Sequence, residues 1–193
     1  MAITAADVKK LRDQTGAGMM DAKKALIEAD GDFVRAAELL RITGAAKLAK
    51  RSDRDASNGI VAAAGSALIQ LGAETDFVAK NDDFIAFARE VAMHIAASPQ
   101  TGWISEDEVP QEAKDKEISV FEQQAADKPE NIRPKIVEGM LRKWLGEVVL
   151  LNQEHVNPDK HDGKTIDQLR GDLSAKTGEN VVIKRFVRFA VGE

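Results

Sequence analysis

Two apolar runs around a short turn decide the fold of this chain: Ile60-Val61-Ala62-Ala63-Ala64-Gly65-Ser66-Ala67-Leu68-Ile69-Gln70-Leu71. Isoleucine, valine and leucine suit a pleated, half-buried surface, although the alanines weaken that preference. Glycine followed by serine is typical of a tight hairpin turn. The stretch therefore predicts a β-hairpin. Helical patterns precede and follow it, so we predict an α+β protein in which helices pack a small antiparallel sheet.

The chain before the hairpin predicts three short helices in residues 1–43. Thr4 and Asp7 have the spacing of a capping box, the glycines of Gly16-Ala17-Gly18 break the first helix, and Asp30-Gly31-Asp32 stops the second. The third helix is expected to close near Gly44. Residues 45–58 carry charges of both signs and are predicted to be a linker that begins as helix. Domains are expected at 1–54, a three-helix bundle, and 55–193, an α+β core and dimerisation domain.

The chain after the hairpin mixes helices with one strand. A helix is predicted to follow Thr75–Asn81, with apolar positions from Phe84 to Ile95, and to end by Ser98-Pro99. Further helices are predicted from about Gln111 to Ala126, from near Pro134, and around 166–175. The helix near Pro134 is expected to bury an apolar stripe: Ile136, Val137, Met140, Leu141, Trp144 and Leu145. A final strand is predicted from Val181 to Val191, with Ile183, Val187, Phe189 and Val191 on one face together with Arg185.

Composition excludes several functions. The 193 residues include no cysteine, which rules out disulfides, thiolate catalysis and cysteine-bound zinc. The net charge of -5 argues against direct nucleic-acid binding, which needs clustered lysine and arginine. The N-terminus lacks the basic start and apolar core of a signal peptide, and no apolar stretch is long enough to span a membrane. We therefore expect a soluble cytoplasmic protein without membrane contact.

Motifs of catalysis are missing from the chain. It contains no Gly-x-x-x-x-Gly-Lys-Ser/Thr loop, no Gly-x-Gly-x-x-Gly turn and no Gly-x-Ser-x-Gly elbow. His155, Asp159 and His161 lie in one predicted loop with donor atoms for a metal, but their order matches no standard ligand spacing, so we interpret them as solvated. His94 is interpreted as a histidine on a helix flank. We predict no catalytic residue, metal or cofactor, and a binding protein rather than an enzyme.

Two segments carry a resemblance to a known family. The first is Leu11-Arg12-Asp13-Gln14-Thr15-Gly16-Ala17-Gly18-Met19-Met20-Asp21-Ala22-Lys23-Lys24-Ala25-Leu26, which closely resembles the N-terminal signature of elongation factor Ts. The second is Glu74-Thr75-Asp76-Phe77-Val78-Ala79-Lys80-Asn81, which is similar to that family's most characteristic motif. With the ending Arg188-Phe189-Ala190-Val191-Gly192-Glu193, the resemblance spans essentially the whole chain.

The chain departs from the family pattern in two ways. Gln70 and Gly72 stand where the family commonly has Glu and Asn, and Gly72 is expected to loosen the end of its strand. The chain is also short, with room for one core subdomain and none for the inserted coiled coil of longer relatives. Short members of the family are thought to form homodimers, so the resemblance implies a homodimer here.

The resemblance implies a ubiquitin-associated-like N-terminal bundle and a guanine-nucleotide exchange factor, with no enzymatic step, that promotes GDP release from elongation factor Tu. The bundle would contact the nucleotide-binding domain of that partner, and Asp76 and Phe77 would intrude beside its magnesium site. The residues implied to bind elongation factor Tu are Arg12, Met19, Met20, Asp76, Phe77, Val78 and Lys80.

The residues alone leave alternatives open. Phe77 lies at a strand–helix junction, where an aromatic ring commonly fills a core, and Met19 and Met20 could complete the core of the small bundle. Arg12 alone reads as a solvated charge. A generic interaction module and an enzyme with an unrecognised site are the rival functions, and an organellar homologue is the rival setting.

Overall fold

Nine α-helices and a three-stranded sheet form the part of the chain that the computed structural model describes, residues 3–190 without the side chain of Ala45. The helices are α1 (Ala5–Thr15), α2 (Met19–Glu28), α3 (Phe33–Arg51), α4 (Asp76–Ala79), α5 (Asp82–Ala97), α6 (Gln111–Gln124), α7 (Arg133–Val148), α8 (Pro158–His161) and α9 (Ile166–Thr177). The strands are β1 (Asn58–Ala64), β2 (Ala67–Ala73) and β3 (Val182–Arg188). The predicted α+β class is confirmed.

None of the helices described between residues 3 and 190 is long and apolar enough to cross a membrane.

Local signals set both ends of α1 and the start of α3, as the sequence predicts. Thr4 and Asp7 form the capping box of α1: the Asp7 amide donates to Thr4 Oγ1 at 3.2 Å, and the Thr4 amide donates to Asp7 Oδ2 at 3.0 Å. Gly16 ends α1 at φ 69°, a conformation that glycine adopts without strain. Asp32 caps α3. The helices enclose their own small core of Val8, Leu11, Ala22, Ala25, Leu26, Ala29 and Ala36.

The third helix is predicted to end near Gly44, but in the structure it continues to Arg51. Its last two turns pack on α9: Leu48 reaches Gly171, and Arg51 Nη1 donates to the Ser174 carbonyl at 3.1 Å. These contacts favour helix over the weak stop signal of a single glycine. The predicted linker is therefore helical up to Arg51, and the domain boundary at 54/55 stays a prediction.

The predicted hairpin is confirmed and forms two of the three strands. The order is β1-β2-β3, with both neighbouring pairs antiparallel and Gly65-Ser66 at the first turn. Gly72 does not loosen its strand: it is buried and paired with Gly59 and Val182. A Cβ at Gly72 would lie 2.9 Å from the Ala56 carbonyl oxygen, so this position requires glycine for close backbone approach.

One face of the sheet carries the main core, and α5 covers it. Phe84, Ala88, Val91 and Ile95 of that helix are fully buried against strand residues of the same cluster, which include Ala62, Ile69, Leu71 and Ile183. The periodicity that predicts this helix is confirmed. The core places β2, and hence the segment that follows it, on a rigid base.

A bulge in β3 changes which of its residues face the core. Gln70 pairs with Arg185, but the adjacent Leu71 pairs with Ile183, so Lys184 has no partner in the ladder. An extra residue reverses the alternation of a strand. Ile183 and Phe186 therefore pack on the core, whereas Val187 and Phe189 are exposed, and the single face predicted for these residues is wrong. Val191, where the predicted strand ends, lies outside the described residues.

Helices α6 and α7 pack on each other and form a pair with few buried side chains. The stripe of α7 from Ile136 to Leu145 is half-buried rather than buried, because α6 and a small cluster around Val109, Val148 and Val149 cover it in part. Trp103 and Trp144 meet in that cluster, with ring centroids 6.1 Å apart. The predicted helices are confirmed, but their apolar stripe is only partly covered.

Candidate partner-binding site

The segment that follows β2 presents an aromatic ring to solvent. Helix α4 is a single turn, Asp76–Ala79, capped by Thr75. Ala79 is buried, and Val78 packs on the main core from its half-buried position. The turn is therefore held on one side, and Phe77 on the other side is 82% exposed. The interpretation of Phe77 as a core residue is wrong.

The start of this turn is tied to the far end of the chain. The Thr75 amide donates to Glu179 Oε2 at 3.0 Å, and the Thr75 hydroxyl donates to Glu179 Oε1 at 2.5 Å. Next to it, the Asn180 amide donates to Glu74 Oε1 at 2.6 Å. A charged acceptor makes these bonds stronger than neutral ones. They fix the backbone immediately before Asp76 and Phe77.

Asn180 extends the same network to the residues after α3. Its side-chain amide is buried and donates to the Ser52 and Arg54 carbonyls at 3.3 and 2.9 Å. Arg54 also forms an ion pair with Glu74 at 3.4 Å. Asn180 thus joins the α9–β3 loop to two places: its backbone amide bonds to Glu74 after β2, and its side chain bonds to the segment after α3.

Asp76 and Lys80 form an exposed ion pair one helical turn apart, with Lys80 Nζ 2.6 Å from Asp76 Oδ2. The hydrogen bond from Lys80, followed by the charge of the ammonium group, lowers the pKa of Asp76 below its ordinary value. The carboxylate therefore stays ionised at neutral pH beside the exposed ring of Phe77.

The second group of predicted site residues lies on the N-terminal bundle. Met19 and Met20 begin α2 directly after the glycine turn and are 45% and 65% exposed. Arg12 is exposed near the end of α1. Neither methionine belongs to the bundle core, so that alternative is wrong for both. Flexible thioether side chains on a surface adapt well to a partner.

The structure brings together only some of the predicted site residues. Asp76, Phe77, Val78 and Lys80 share α4 and its C-cap, whereas Arg12, Met19 and Met20 lie on the other packing unit. Among residues 3–190, no hydrogen bond or ion pair joins the two groups.

The histidines are not placed as the sequence predicts. His155 is buried, His161 is largely buried and stacks edge-on against it at 4.3 Å between centroids, and only Asp159 is exposed. His94 is also buried: its Nε2 lies 2.6 Å from Gln153 Oε1, and its Nδ1 accepts from the Val156 amide. Burial lowers the pKa of His94, and burial followed by the charge of His161 lowers that of His155.

The sequence interpretation missed Glu179 and Asn180, and quoted Glu74 only as part of a motif; these three residues hold the segment around Phe77. Glu179 and Asn180 follow the glycine that ends α9, and that glycine predicts only a helix end. Their contact with Thr75 and Glu74 joins residues more than one hundred positions apart. No local sequence pattern predicts a contact over this distance. The charged Glu179 next to a predicted strand indicates only that it has some polar partner.

Comparisons with known proteins agree with the resemblance. The family model described as "Elongation factor TS" matches residues 86–193. "Elongation factor Ts" of Desulfotalea psychrophila is 48% identical over 200 residues, covering 100% of both chains, and that of Alkaliphilus metalliredigens is 49% identical, covering 100% of this chain and 91% of its own. "Polyprotein of EF-Ts, chloroplastic" of Oryza sativa is 42% identical, covering 100% of this chain and 18% of its own. This chain therefore belongs to the elongation factor Ts family and has the translation elongation role of that family.

Proposed function

We propose that the protein is a guanine-nucleotide exchange factor that promotes release of GDP from elongation factor Tu. The family assignment supports the partner, and the exposed ring of Phe77 supports the mechanism. The ring of an exposed phenylalanine on a single anchored turn is removed from water only when another molecule covers it. Phe77 is the observation on which this proposal rests.

Phe77 and Asp76 act together in the proposed mechanism. The ring inserts between elements of elongation factor Tu beside its magnesium site, and the Asp76 carboxylate disturbs the waters and side chains that hold Mg²⁺. The phosphates of GDP, which the cation and backbone amides bind, then lose contacts. Lys80 holds Asp76 in the free protein, so the carboxylate reaches the partner already oriented.

The N-terminal bundle supplies the second contact in this proposal. Arg12, Met19 and Met20 are exposed around one glycine turn and would bind the nucleotide-binding domain of elongation factor Tu. Because this contact lies on another packing unit than Phe77, binding and nucleotide release are separable by mutation.

No bond is made or broken in the proposed exchange. The factor binds elongation factor Tu more tightly without nucleotide than with it, so it lowers the affinity for GDP by the same factor by which GDP lowers its own affinity. It acts by stabilising an open state of the partner.

A homodimer through the sheet completes the proposal. The face of the sheet opposite α5 carries Val61, Leu68 and Val187, all exposed, and Leu68 pairs directly with Val187 across β2 and β3. Apolar side chains side by side on an open sheet face are normally covered. A second copy of the chain would cover them with its own open face in a two-fold arrangement.

The proposed setting is the bacterial cytoplasm, in keeping with the bacterial relatives. The relative named as a chloroplastic polyprotein supports an organellar setting as the alternative.

Release of a fluorescent GDP analogue from elongation factor Tu tests the function. The protein should accelerate release in proportion to its concentration until the partner is saturated. Binding of elongation factor Tu without faster release would instead support the generic interaction module, and neither binding nor release would overturn the proposal.

A further inference from the structure

Two histidines and a glutamate meet where the segment around α8 packs on α5. His155 precedes α8 and is only 6% exposed, and His161 ends it. Glu90 lies on α5 and directs its Oε2 towards His161, 3.2 Å from that residue's Nε2. The three side chains offer ligand atoms that all lie within 4.8 Å of one another. The cluster lies outside the proposed partner-binding residues.

Two nitrogens of this cluster lack hydrogen bonds. Among the described residues, Nε2 of His155 and Nε2 of His161 are both buried and neither makes a well-aligned hydrogen bond. The 3.2 Å approach of His161 to Glu90 is too poorly aligned to be a hydrogen bond. Buried polar groups are nearly always satisfied, so two orphaned nitrogens side by side point to a missing partner.

We propose that Glu90, His155 and His161 form a binding site for one divalent transition-metal ion of the Zn²⁺ class. Imidazole nitrogens and a carboxylate are ligands that zinc accepts at about 2.0–2.2 Å, which places neighbouring tetrahedral ligand atoms roughly 3.3 Å apart. The ligand atoms are within 4.8 Å already, so small side-chain rotations bring them to that spacing. Three protein ligands leave the fourth position for water or for a group from another molecule.

The neighbouring polar groups define the cost of binding. Lys160 is paired with Oε1 of Glu90, which leaves Oε2 for the metal. Nδ1 of His155 accepts from the Asn157 amide at 3.1 Å, so coordination through Nε2 moves the ring proton to Nδ1 and breaks that bond. Asn157 is exposed, and water replaces the lost partner. The loss of one such hydrogen bond is small beside the free energy of a bound transition metal.

His94 is excluded from the ligand set although it stacks on His155 at 5.7 Å between centroids. Both of its nitrogens are already engaged, one with Gln153 and the other with the Val156 amide. Asp159 is excluded because it is exposed and absent from the cluster. The consequence of binding is structural: the ion fastens the segment 155–161 to α5, in addition to the Lys160–Glu90 ion pair and the hydrogen bond from the Val156 amide to His94.

Titration of Zn²⁺ into the full chain without an affinity tag, after removal of metal by chelator, tests the site. One ion per chain should bind with a dissociation constant below about 10 µM. Co²⁺ should bind in competition with Zn²⁺ and give the visible absorption of a low-symmetry nitrogen–oxygen site. Zn²⁺ at about 100 times its dissociation constant should raise the folding equilibrium constant about 100-fold.

Matched variants make the test specific. His161→Gln and Glu90→Gln should each weaken Zn²⁺ binding by at least about tenfold. Mutation of residues that only hydrogen-bond to metal ligands already costs that much affinity. Asp159→Asn, which removes a neighbouring exposed carboxylate, should leave affinity and the Co²⁺ spectrum unchanged. Circular dichroism on each variant confirms that it is folded. Absence of stoichiometric Zn²⁺ binding, or binding equally strong in folded His161→Gln and Glu90→Gln, overturns the proposal.

Discussion

Glu179 accepts two hydrogen bonds from Thr75, one from its amide and one from its hydroxyl, across 104 positions of the chain. Thr75 is the residue that caps α4, so this contact fixes the start of the turn that exposes Phe77. A ring that must enter a partner in one orientation loses little entropy on binding when its backbone is already fixed. We therefore regard Glu179 as the residue that positions Phe77.

Loss of the Glu179 carboxylate should slow GDP release without removing Phe77. We expect Glu179→Ala to lower the free energy of unfolding by about 1 kcal/mol, because the charged acceptor of two exposed hydrogen bonds is lost. Glu179→Gln retains one acceptor oxygen, so its rate of GDP release in stopped flow should lie between the rates with Glu179→Ala and with the parent. The control is Glu122→Ala, an exposed glutamate of α6. Equal release rates for the parent and Glu179→Ala would contradict a positioning role.

The Asp76–Lys80 pair makes a prediction about titration. Lys80→Met removes the hydrogen bond and charge that lower the pKa of Asp76, so that pKa should rise towards its ordinary value in an NMR titration of the carboxyl carbon. A carboxyl with a lowered pKa in the folded state stabilises above its unfolded pKa, and this contribution is lost as pH falls through the folded pKa. In Lys80→Met, the free energy of unfolding should therefore fall slightly less steeply as the pH is lowered through the acid range. An unchanged Asp76 pKa would show that the pair does not persist in solution.

The open face of the sheet makes a prediction about assembly. The protein should sediment as a dimer at micromolar concentration, and Val61→Lys should shift it towards monomer, because a charge would be buried in the proposed interface. Val61 is 67% exposed in the single chain. Ile42→Lys is the matched control, since Ile42 is 68% exposed but lies on α3, away from the sheet. A parent that sediments only as monomer refutes the dimer, and equal dissociation by both variants refutes this interface.

Removal of residues 1–50 should leave a folded remainder with weaker partner binding. The core of the bundle is separate from the core under the sheet. We therefore expect residues 51–193 to unfold cooperatively without the bundle. Deletion also removes Leu48 from the surface of α9, which should cost some stability. Calorimetry of residues 51–193 tests the boundary. A broad transition without cooperativity would show that the two units fold as one.

Local signals predict much of this fold from the sequence. The capping box at Thr4, the glycine turn at Gly16 and the apolar runs on either side of Gly65-Ser66 act within a few residues, and the structure has the expected elements there. Exposure of Phe77 is not predictable in this way, since a ring at a strand–helix junction suits a core equally well. The anchors of Val78 and Ala79 on one side of α4 decide it.

Contacts between distant residues explain the features that the sequence does not predict. Helix α3 passes Gly44 because Leu48 and Arg51 find partners on α9. The reversed faces of β3 follow from the unpaired Lys184, which no spacing of apolar residues marks. Glu90 joins His155 and His161 only because the segment around α8 folds back on α5. In each case the deciding partner lies far away in the chain.

Phe77→Ala, measured for both unfolding and GDP release on the same protein, tests the central claim most directly. Because Phe77 is exposed, the free energy of unfolding should change by no more than about 0.5 kcal/mol, as at other surface sites. Release of fluorescent GDP from elongation factor Tu should nevertheless become clearly slower in stopped flow, while Met93→Ala, an exposed control on α5, should match the parent. A loss of roughly 3–5 kcal/mol would return Phe77 to the core, and unchanged release would remove it from the mechanism.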